Sequence, residues 1–261
     1  MRRRSGSFDG QILGLGLGLV LAWTGAQAEP RQSGLAYMSQ ALQALQRDDA
    51  QNPAMLAVQD GAALWLAAAG AAGKHCAACH GDARQSMAGV AARYPAWDAR
   101  GSQALNLHGR INACRQQYQQ APALAADHAD ALALAAYLGL QSRGQPLAPP
   151  DDARLAPLRR QGQALWQQRL GQLNLACLQC HDQRAGQKLG GATIPQGHAT
   201  GYPSYRLEWQ GLGSLQRRLR GCVVGVRAEP WAPDAPEWLA LEAWLAQRAA
   251  GMAVETPALR P

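Results

Sequence analysis

The sequence has few runs of β-branched residues, and it contains only one phenylalanine beside eight tryptophans. Alanine, leucine and glutamine are abundant instead, which favours helix over sheet. Basic runs interleaved with aromatic residues are also lacking, so the net charge of +7 gives no support for nucleic-acid binding. Beyond residue 28 no apolar run is long enough to cross a bilayer. These absences predict a mainly α-helical protein with no membrane span in its mature form.

The N-terminal segment has the pattern of a secretory signal peptide. Three basic residues, Arg2–Arg4, precede the apolar run Ile12–Trp23, and a short A-Q-A sequence that ends at Ala28 fits a cleavage site. The run of about 12 apolar residues is too short for a membrane anchor. We therefore predict a Sec-type signal peptide over residues 1–28, cleavage after Ala28 and export to a bacterial periplasm.

Five landmarks occur twice in the same order, which indicates a duplicated domain. In each copy a G-x-A-L-W segment precedes a CxxCH motif, and the tryptophan lies eleven residues before the first cysteine. An Arg-x-x-x-Cys pair and a leucine-rich segment then follow. The landmarks are Gly61–Trp65, Cys76–His80, Arg110, Cys114 and Leu132–Leu138 in the first copy, and Gly162–Trp166, Cys177–His181, Arg218, Cys222 and Leu239–Leu245 in the second.

The duplication predicts two domains joined by a proline-rich polar segment, residues 142–157. We place the boundary near residue 148, which gives domains over 29–148 and 149–261. Each domain is predicted to contain a helix, a haem-binding loop, a long loop, a ligand segment and a C-terminal helix. Residues 31–53 have a roughly helical spacing of apolar residues and are expected to be an extension that packs on the first domain.

A CxxCH motif in an exported protein supplies two thiols for thioether bonds to haem and one histidine for its iron. A redox-active CxxC pair does not need the histidine, and a four-cysteine zinc ribbon leaves both histidines unexplained. The motifs therefore predict two covalently bound c-type haems in two tandem cytochrome-c-like domains. The residues predicted for haem attachment are Cys76, Cys79, Cys177 and Cys180, and those predicted as proximal iron ligands are His80 and His181.

The identity of the sixth iron ligand distinguishes a simple electron carrier from a less common kind of haem site, because simple carriers use methionine or histidine as that ligand. Met87 follows His80 too closely to reach the opposite haem face readily, and the second copy has only Met252 near its end. Three histidines remain as candidates, although none has a counterpart in the other copy: His108, His128 and His198.

Cys114 and Cys222 are left over from the two motifs, and they occupy matching positions. A disulfide between them is the alternative in an oxidising compartment. Equivalent positions in two repeats are expected to face separate haems rather than each other. We therefore predict that Cys114 and Cys222 are the distal iron ligands.

Cys222 differs from Cys114 by its basic surroundings. Nearby positive charge favours a thiolate, and a guanidinium group suits a tetrahedral oxyanion. Arg218 precedes Cys222 by four residues, which places both on one face of a helix. The pattern predicts an anionic sulfur compound held by Arg218 with its sulfur against Cys222. The arginines expected to favour the thiolate are Arg217, Arg218, Arg220 and Arg227.

Over essentially the whole mature chain, the sequence resembles the SoxA family, the dihaem cytochromes of the bacterial thiosulfate-oxidising system. The resemblance implies an L-cysteine S-thiosulfotransferase that pairs with a SoxX-like monohaem cytochrome c and couples thiosulfate oxidatively to a cysteine of the carrier protein SoxYZ. It also implies that Cys114 is the distal ligand of the first haem. Cys222 would be both distal ligand of the second haem and catalytic residue, and Arg218 would bind substrate. The segments that carry the resemblance are 33–53, 86–98, 110–115, 141–144, 194–222 and 225–231.

Two other functions stay open at this point. One is a dihaem electron-transfer module without its own substrate, in which Cys222 only tunes a potential. The other is a free-standing thiosulfate dehydrogenase that forms tetrathionate. In the first copy only Arg110 and Arg115 flank Cys114, and this asymmetry favours an active second site.

Overall fold

The computed structural model describes residues 30–261, together with Gly6, and this part of the chain is mainly helical. The signal peptide predicted for residues 1–28 therefore lies outside the described residues, apart from Gly6. Residues 31–261 form one unit, so the two halves of the duplication pack together. No helix in residues 30–261 combines the length and the apolar character that a bilayer crossing requires.

The first half begins after a short helix of the N-terminal extension, α1 (Gln40–Arg47). Its two longest helices pack against each other, and the CxxCH motif forms a five-residue helix beside them. A two-stranded antiparallel hairpin leads into the helix that carries Cys114. The elements are α2 (Ala54–Leu66), α3 (Cys76–His80), α4 (Ala83–Ser86), β1 (Ala96–Asp98), β2 (Gln103–Leu105), α5 (Leu107–Cys114) and α6 (Ala129–Leu140).

The second half repeats this order with three added strands and without a counterpart of α4. Two of the added strands form a short antiparallel hairpin after the second CxxCH motif. The hairpin before the helix that carries Cys222 gains a third strand from the C-terminus, which pairs in parallel with the first strand of that hairpin. The elements are α7 (Ala156–Gln167), α8 (Cys177–His181), β3 (Lys188–Leu189), β4 (Ala192–Thr193), β5 (Ser204–Arg206), β6 (Gly211–Gly213), α9 (Leu215–Gly225), α10 (Pro236–Arg248) and β7 (Ala258–Arg260). The prediction of a mainly α protein built from two tandem cytochrome-c-like domains is confirmed.

The repeated G-x-A-L-W segments hold each half together. Helix α2 packs on α6, and α7 packs on α10. A Cβ atom at Gly61 would collide with the carbonyl oxygen of Ala133, and one at Gly162 with that of Ala240. Glycine at both positions therefore permits a backbone approach that any side chain prevents.

The N-terminal extension packs mainly on the C-terminal strand, so our expectation that it packs on the first domain is largely wrong. The side-chain oxygen of Gln46 accepts hydrogen bonds from the backbone N–H of Leu259 at 3.0 Å and from Arg260 at 2.6 Å. One ion pair, Asp49 with Arg143, does reach the first domain. The side-chain amide of Gln46 thus provides the hydrogen-bond acceptor for a backbone N–H of β7. The periodicity of apolar residues cannot predict such a pairing.

A partly buried carboxyl group lies where the two halves meet. Glu242 on α10 lines a cavity of about 150 Å³ whose walls come from both halves. Asn106 donates a hydrogen bond of 2.8 Å to its carboxyl group. Burial raises the pKa of Glu242 to about 7, and the hydrogen bond from Asn106 offsets only part of this effect. The first half has Ala135 at the equivalent position, so the carboxyl group is a feature of the second half alone.

We expect Glu242→Gln to flatten the pH dependence of stability. Because the folded-state pKa of about 7 exceeds the ordinary value of 4.5, the native protein binds more protons than the unfolded chain between these values. The wild type therefore loses stability as pH rises from about 4.5 to 7, by on the order of 2 kcal/mol relative to the variant. Urea unfolding at pH 5 and pH 8 measures this difference, with Glu229→Gln at an exposed site as the control. Parallel pH profiles of the wild type and Glu242→Gln would contradict the assignment.

Candidate haem and substrate sites

The repeated tryptophan anchors the histidine end of each CxxCH helix. The indole nitrogen of Trp65 donates a hydrogen bond to the carbonyl oxygen of Gly81 at 3.0 Å. That of Trp166 donates to the carboxylate of Asp182, also at 3.0 Å. Each ring lies against the histidine of its motif, with ring centroids 5.7 and 5.6 Å apart. The spacing of eleven residues between Trp and Cys thus serves the placement of the predicted iron ligand.

The first CxxCH motif opens onto a cavity of about 680 Å³, a volume typical of cofactor pockets. Its walls are largely apolar, and the thiols of Cys76 and Cys79, the ring of His80 and the sulfur of Cys114 line it. Thiols for covalent attachment, a histidine and a further sulfur ligand are the groups that a c-type haem requires. The residues of this cavity therefore fit a haem. Basic residues at the cavity suit its propionates: Lys74, Arg100, Arg110 and Arg115.

In the second half the predicted proximal and distal ligands face each other. The ring of His181 lies within hydrogen-bonding reach of the Cys222 sulfur. Its Nδ1 contacts the carbonyl oxygen of Pro195 at 2.7 Å, which fixes the ring orientation and leaves Nε2 for the site. Cys177 of the motif lies close enough to Cys222 for each charge to affect the other. This donor set also fits a haem.

The six cysteines are free thiols, so the alternative of a disulfide between Cys114 and Cys222 is not found. Cys114 lies beside Cys79 of the first motif, whereas Cys222 lies beside Cys177 of the second. The two leftover cysteines therefore belong to separate sites, as their matching positions predict.

Each leftover cysteine lies on a helix that begins with a side-chain cap. The side-chain oxygen of Asn106 accepts a hydrogen bond from the N–H of Gly109 at 2.8 Å at the start of α5, and Ser214 accepts one from Arg217 at 3.0 Å at the start of α9. Helix α9 contains both Arg218 and Cys222, so the prediction that they share a helix is confirmed. A π-helical turn, 115–119, directly follows Cys114.

The charge around Cys222 differs from our expectation of four neighbouring arginines. Burial raises the pKa of its thiol, but the hydrogen bond with His181 and the charges of Arg218, His181 and Arg206 bring the pKa below its ordinary value. Of the four arginines only Arg218 is half-buried, and it is the one that acts on the pKa of Cys222 together with Arg206. The other three are exposed, as solvated surface charges are: Arg217, Arg220 and Arg227.

Arg206 on β5 is the residue that the sequence analysis missed. Its side chain is only 11% exposed, and its guanidinium group lies over the ring of Trp209 at 5.1 Å. Arg217 covers the same ring at 4.2 Å. The repeat could have identified this residue. Arg206 follows Asp98 by 108 residues, the same displacement that relates Arg218 to Arg110, so an arginine replaces an aspartate at a matched position.

Two of the three unmatched histidines have other contacts. His108 hydrogen-bonds the carbonyl oxygen of Leu124 at 2.9 Å. His128 accepts a hydrogen bond from the N–H of Asp130 at the start of α6. These contacts explain His108 and His128 without iron ligation. His198 is buried, its Nδ1 has no hydrogen-bond partner among the described residues, and burial together with two nearby arginines lowers its pKa to about 4.

Comparison with known proteins places this chain in a family. It matches the model of the SoxA/TsdA cytochrome c domain over residues 60–147 and 161–254. It is 40% identical to the L-cysteine S-thiosulfotransferase subunit SoxA of Pseudaminobacter salicylatoxidans, over 82% of this chain and 75% of that one. The identity to the SoxA subunit of Rhodovulum sulfidophilum is 34%, over 88% and 80%. The crystal structure of SoxXA from P. pantotrophus superposes with a TM-score of 0.85 at 32% identity, covering 88% of this chain and 87% of that one.

Proposed function

Because the chain belongs to the SoxA/TsdA cytochrome c family, we propose that it is a dihaem L-cysteine S-thiosulfotransferase, which couples thiosulfate oxidatively to a cysteine of a SoxYZ carrier protein. The observation that carries this proposal is the placement of Cys222 opposite His181, one helical turn after Arg218 on α9. An electron-transfer module needs no cation at that position.

We propose two haems, one for each CxxCH motif, in a protein that family membership identifies as a c-type cytochrome. Cys114 with His80, and Cys222 with His181, are the residues that we propose would hold the two irons. When bound, the haem at the second site supplies the capacity to accept electrons one at a time. The residues proposed for covalent attachment are Cys76, Cys79, Cys177 and Cys180.

Arg218 is the proposed substrate-binding residue. Burial lowers the pKa of its guanidinium, but the charges of Cys222, Tyr202 and Glu208 outweigh burial and raise it. Its fork of N–H donors matches the oxygens of a sulfonate group. Held in this way, the outer sulfur of thiosulfate lies next to the sulfur of Cys222, as bond formation between two sulfurs requires.

The proposed reaction has two steps. Thiosulfate and the sulfur of Cys222 form a disulfide-type bond with the loss of two electrons. The carrier thiolate then attacks the outer thiosulfate sulfur, which releases the Cys222 thiolate and leaves a thiosulfonate group on the carrier. The sum is one bond between the carrier sulfur and thiosulfate, one proton from the carrier thiol and two electrons. A SoxX-like monohaem cytochrome c is the proposed partner that receives the electrons, in the periplasm after cleavage at Ala28.

Product analysis tests the function. We expect mass spectrometry to find thiosulfonate on the carrier cysteine after incubation with thiosulfate, the cytochrome partner and an electron acceptor. The adduct requires the carrier, the partner and this chain together. Tetrathionate formed at the same rate without carrier would indicate a free-standing thiosulfate dehydrogenase, and the absence of both products would indicate an electron-transfer module.

A further inference from the structure

The hairpin and the cysteine-bearing helix of the first half align with those of the second half in sequence, without a gap. Strands β1 and β5, strands β2 and β6, and the capping residues Asn106 and Ser214 are each displaced by 108 residues. The same displacement relates Arg110 to Arg218 and Cys114 to Cys222. Every position in one hairpin therefore has a defined counterpart in the other.

Two charged positions reverse sign between these hairpins. Asp98 in the first half corresponds to Arg206 in the second, and Arg100 corresponds to Glu208. Asp98 is 9% exposed and accepts a hydrogen bond from Arg110 at 2.9 Å. In the first half, the arginine one helical turn before the leftover cysteine is thus neutralised by a buried carboxylate.

The second half has no carboxylate at the position of Asp98, and its counter-ion is the half-exposed Glu208. Arg206 uses only its Nε to reach Glu208 at 2.7 Å, and the charge of Glu208 also acts on Arg218. Within residues 30–261 neither the terminal nitrogens of Arg206 nor the guanidinium of Arg218 donates a hydrogen bond in the structure. Both guanidinium groups therefore keep free donors.

The hairpin and the helix bring the two guanidinium groups to one region of the second half. Arg206 occupies the repeat position of Asp98, which contacts Arg110, the counterpart of Arg218, at 2.9 Å. Arg206 and Arg217, the neighbour of Arg218, also lie over the same ring, that of Trp209. Arg206 is also held in position, because its guanidinium stacks on Trp209 at 5.1 Å. A Cβ atom at Gly213 on the opposing strand would collide with that ring, so glycine at this position provides the space for it.

We propose that Arg206 is a second substrate-binding residue that holds the sulfonate group of thiosulfate together with Arg218. The inference rests on the proposed function. Two guanidinium groups with free donors replace more of the hydration of a sulfonate group than one guanidinium does. In the first half the position of Arg206 carries Asp98, whose carboxylate is already paired with Arg110.

Three substitutions test this role: Arg206→Gln, Arg206→Lys and Arg206→Asp. We expect Arg206→Gln to raise the KM for thiosulfate by about 10- to 100-fold, which is the loss of one charge-assisted contact. Lysine keeps the charge without the planar fork, so its KM lies between those of the wild type and glutamine. Aspartate, the residue of the first half, has the highest KM. Arg220→Gln, at an exposed position on α9, is the matched control and leaves KM unchanged.

Binding of thiosulfate to the protein without carrier, measured by calorimetry, separates recognition from turnover. We expect the Kd to rise in the same order as KM, with haem spectra and thermal unfolding of Arg206→Gln and Arg206→Lys unchanged. If the wild type transfers thiosulfate and Arg206→Gln has a wild-type KM and Kd, the role of Arg206 is overturned. If kcat alone falls, Arg206 is not a binding residue. A wild type that binds thiosulfate through Arg206 but never modifies the carrier would overturn the proposed function instead.

Discussion

Cys222→Ala is expected to abolish thiosulfonation of the carrier, with a loss of at least about 1,000-fold, while haem stays attached at both CxxCH motifs. The variant loses the sulfur proposed to form the bond to thiosulfate, whereas the thiols proposed to attach haem lie elsewhere, on α3 and α8. The adduct on the carrier peptide is measured by mass spectrometry, and haem attachment by absorbance of the denatured protein. Full turnover by Cys222→Ala would contradict the proposed catalytic role of Cys222.

Cys114→Ala is the matched control for this experiment. Electron paramagnetic resonance of the oxidised wild type is expected to show low-spin ferric haem with thiolate character. Each variant loses this character at one haem only, because Cys114 and Cys222 lie in separate sites. The Cys222 peptide of Cys114→Ala still forms its adduct with thiosulfate. A histidine/methionine signature in the wild type would exclude both cysteines as ligands.

Arg218→Ala is expected to lower kcat/KM for thiosulfate by at least about 100-fold, to near background. The substitution removes a half-buried guanidinium that has no salt bridge with any described carboxylate, so the loss falls on the substrate rather than on the fold. Steady-state rates measure the effect, and thermal unfolding shows that the variant remains folded.

Arg110→Ala provides the opposite pattern. Its removal leaves Asp98 largely buried without its cation, so the first half loses stability while the KM for thiosulfate is unchanged. Equal effects of the two substitutions on KM would contradict a distinction between the two sites. The comparison is stringent because both arginines precede a cysteine by one helical turn and follow the same hairpin.

Much of this molecule follows from local sequence patterns. The CxxCH motifs, the eleven-residue spacing to a tryptophan and the repeated order of landmarks predict haem attachment, helical content and duplication. These features act within a few turns of chain, where helix periodicity determines which side chains meet. For this reason the shared face of Arg218 and Cys222 was also predictable.

The charges that act at the site could be identified only from the tertiary structure. The charge of Arg206 acts on Cys222 from a strand whose register with β6 and β7 is determined by pairing across the sheet, and sequence spacing does not specify that register. The raised pKa of Glu242 depends on burial between the halves, and the extension meets β7 more than 200 residues further along the chain.

The sequence by itself thus determined which residues are proposed to attach haem, which cysteine pair matches and which arginine shares a helix with Cys222. Only the tertiary structure decided which arginines are neutralised. Asp98 and Arg206 occupy the same position of the repeat but carry opposite charges. Asp98 neutralises Arg110, whereas the charge of Arg206 acts on Cys222, and both effects require that the hairpin packs against the helix that carries the cysteine. Coulomb interactions depend on distance and burial, and both are properties of the packed chain.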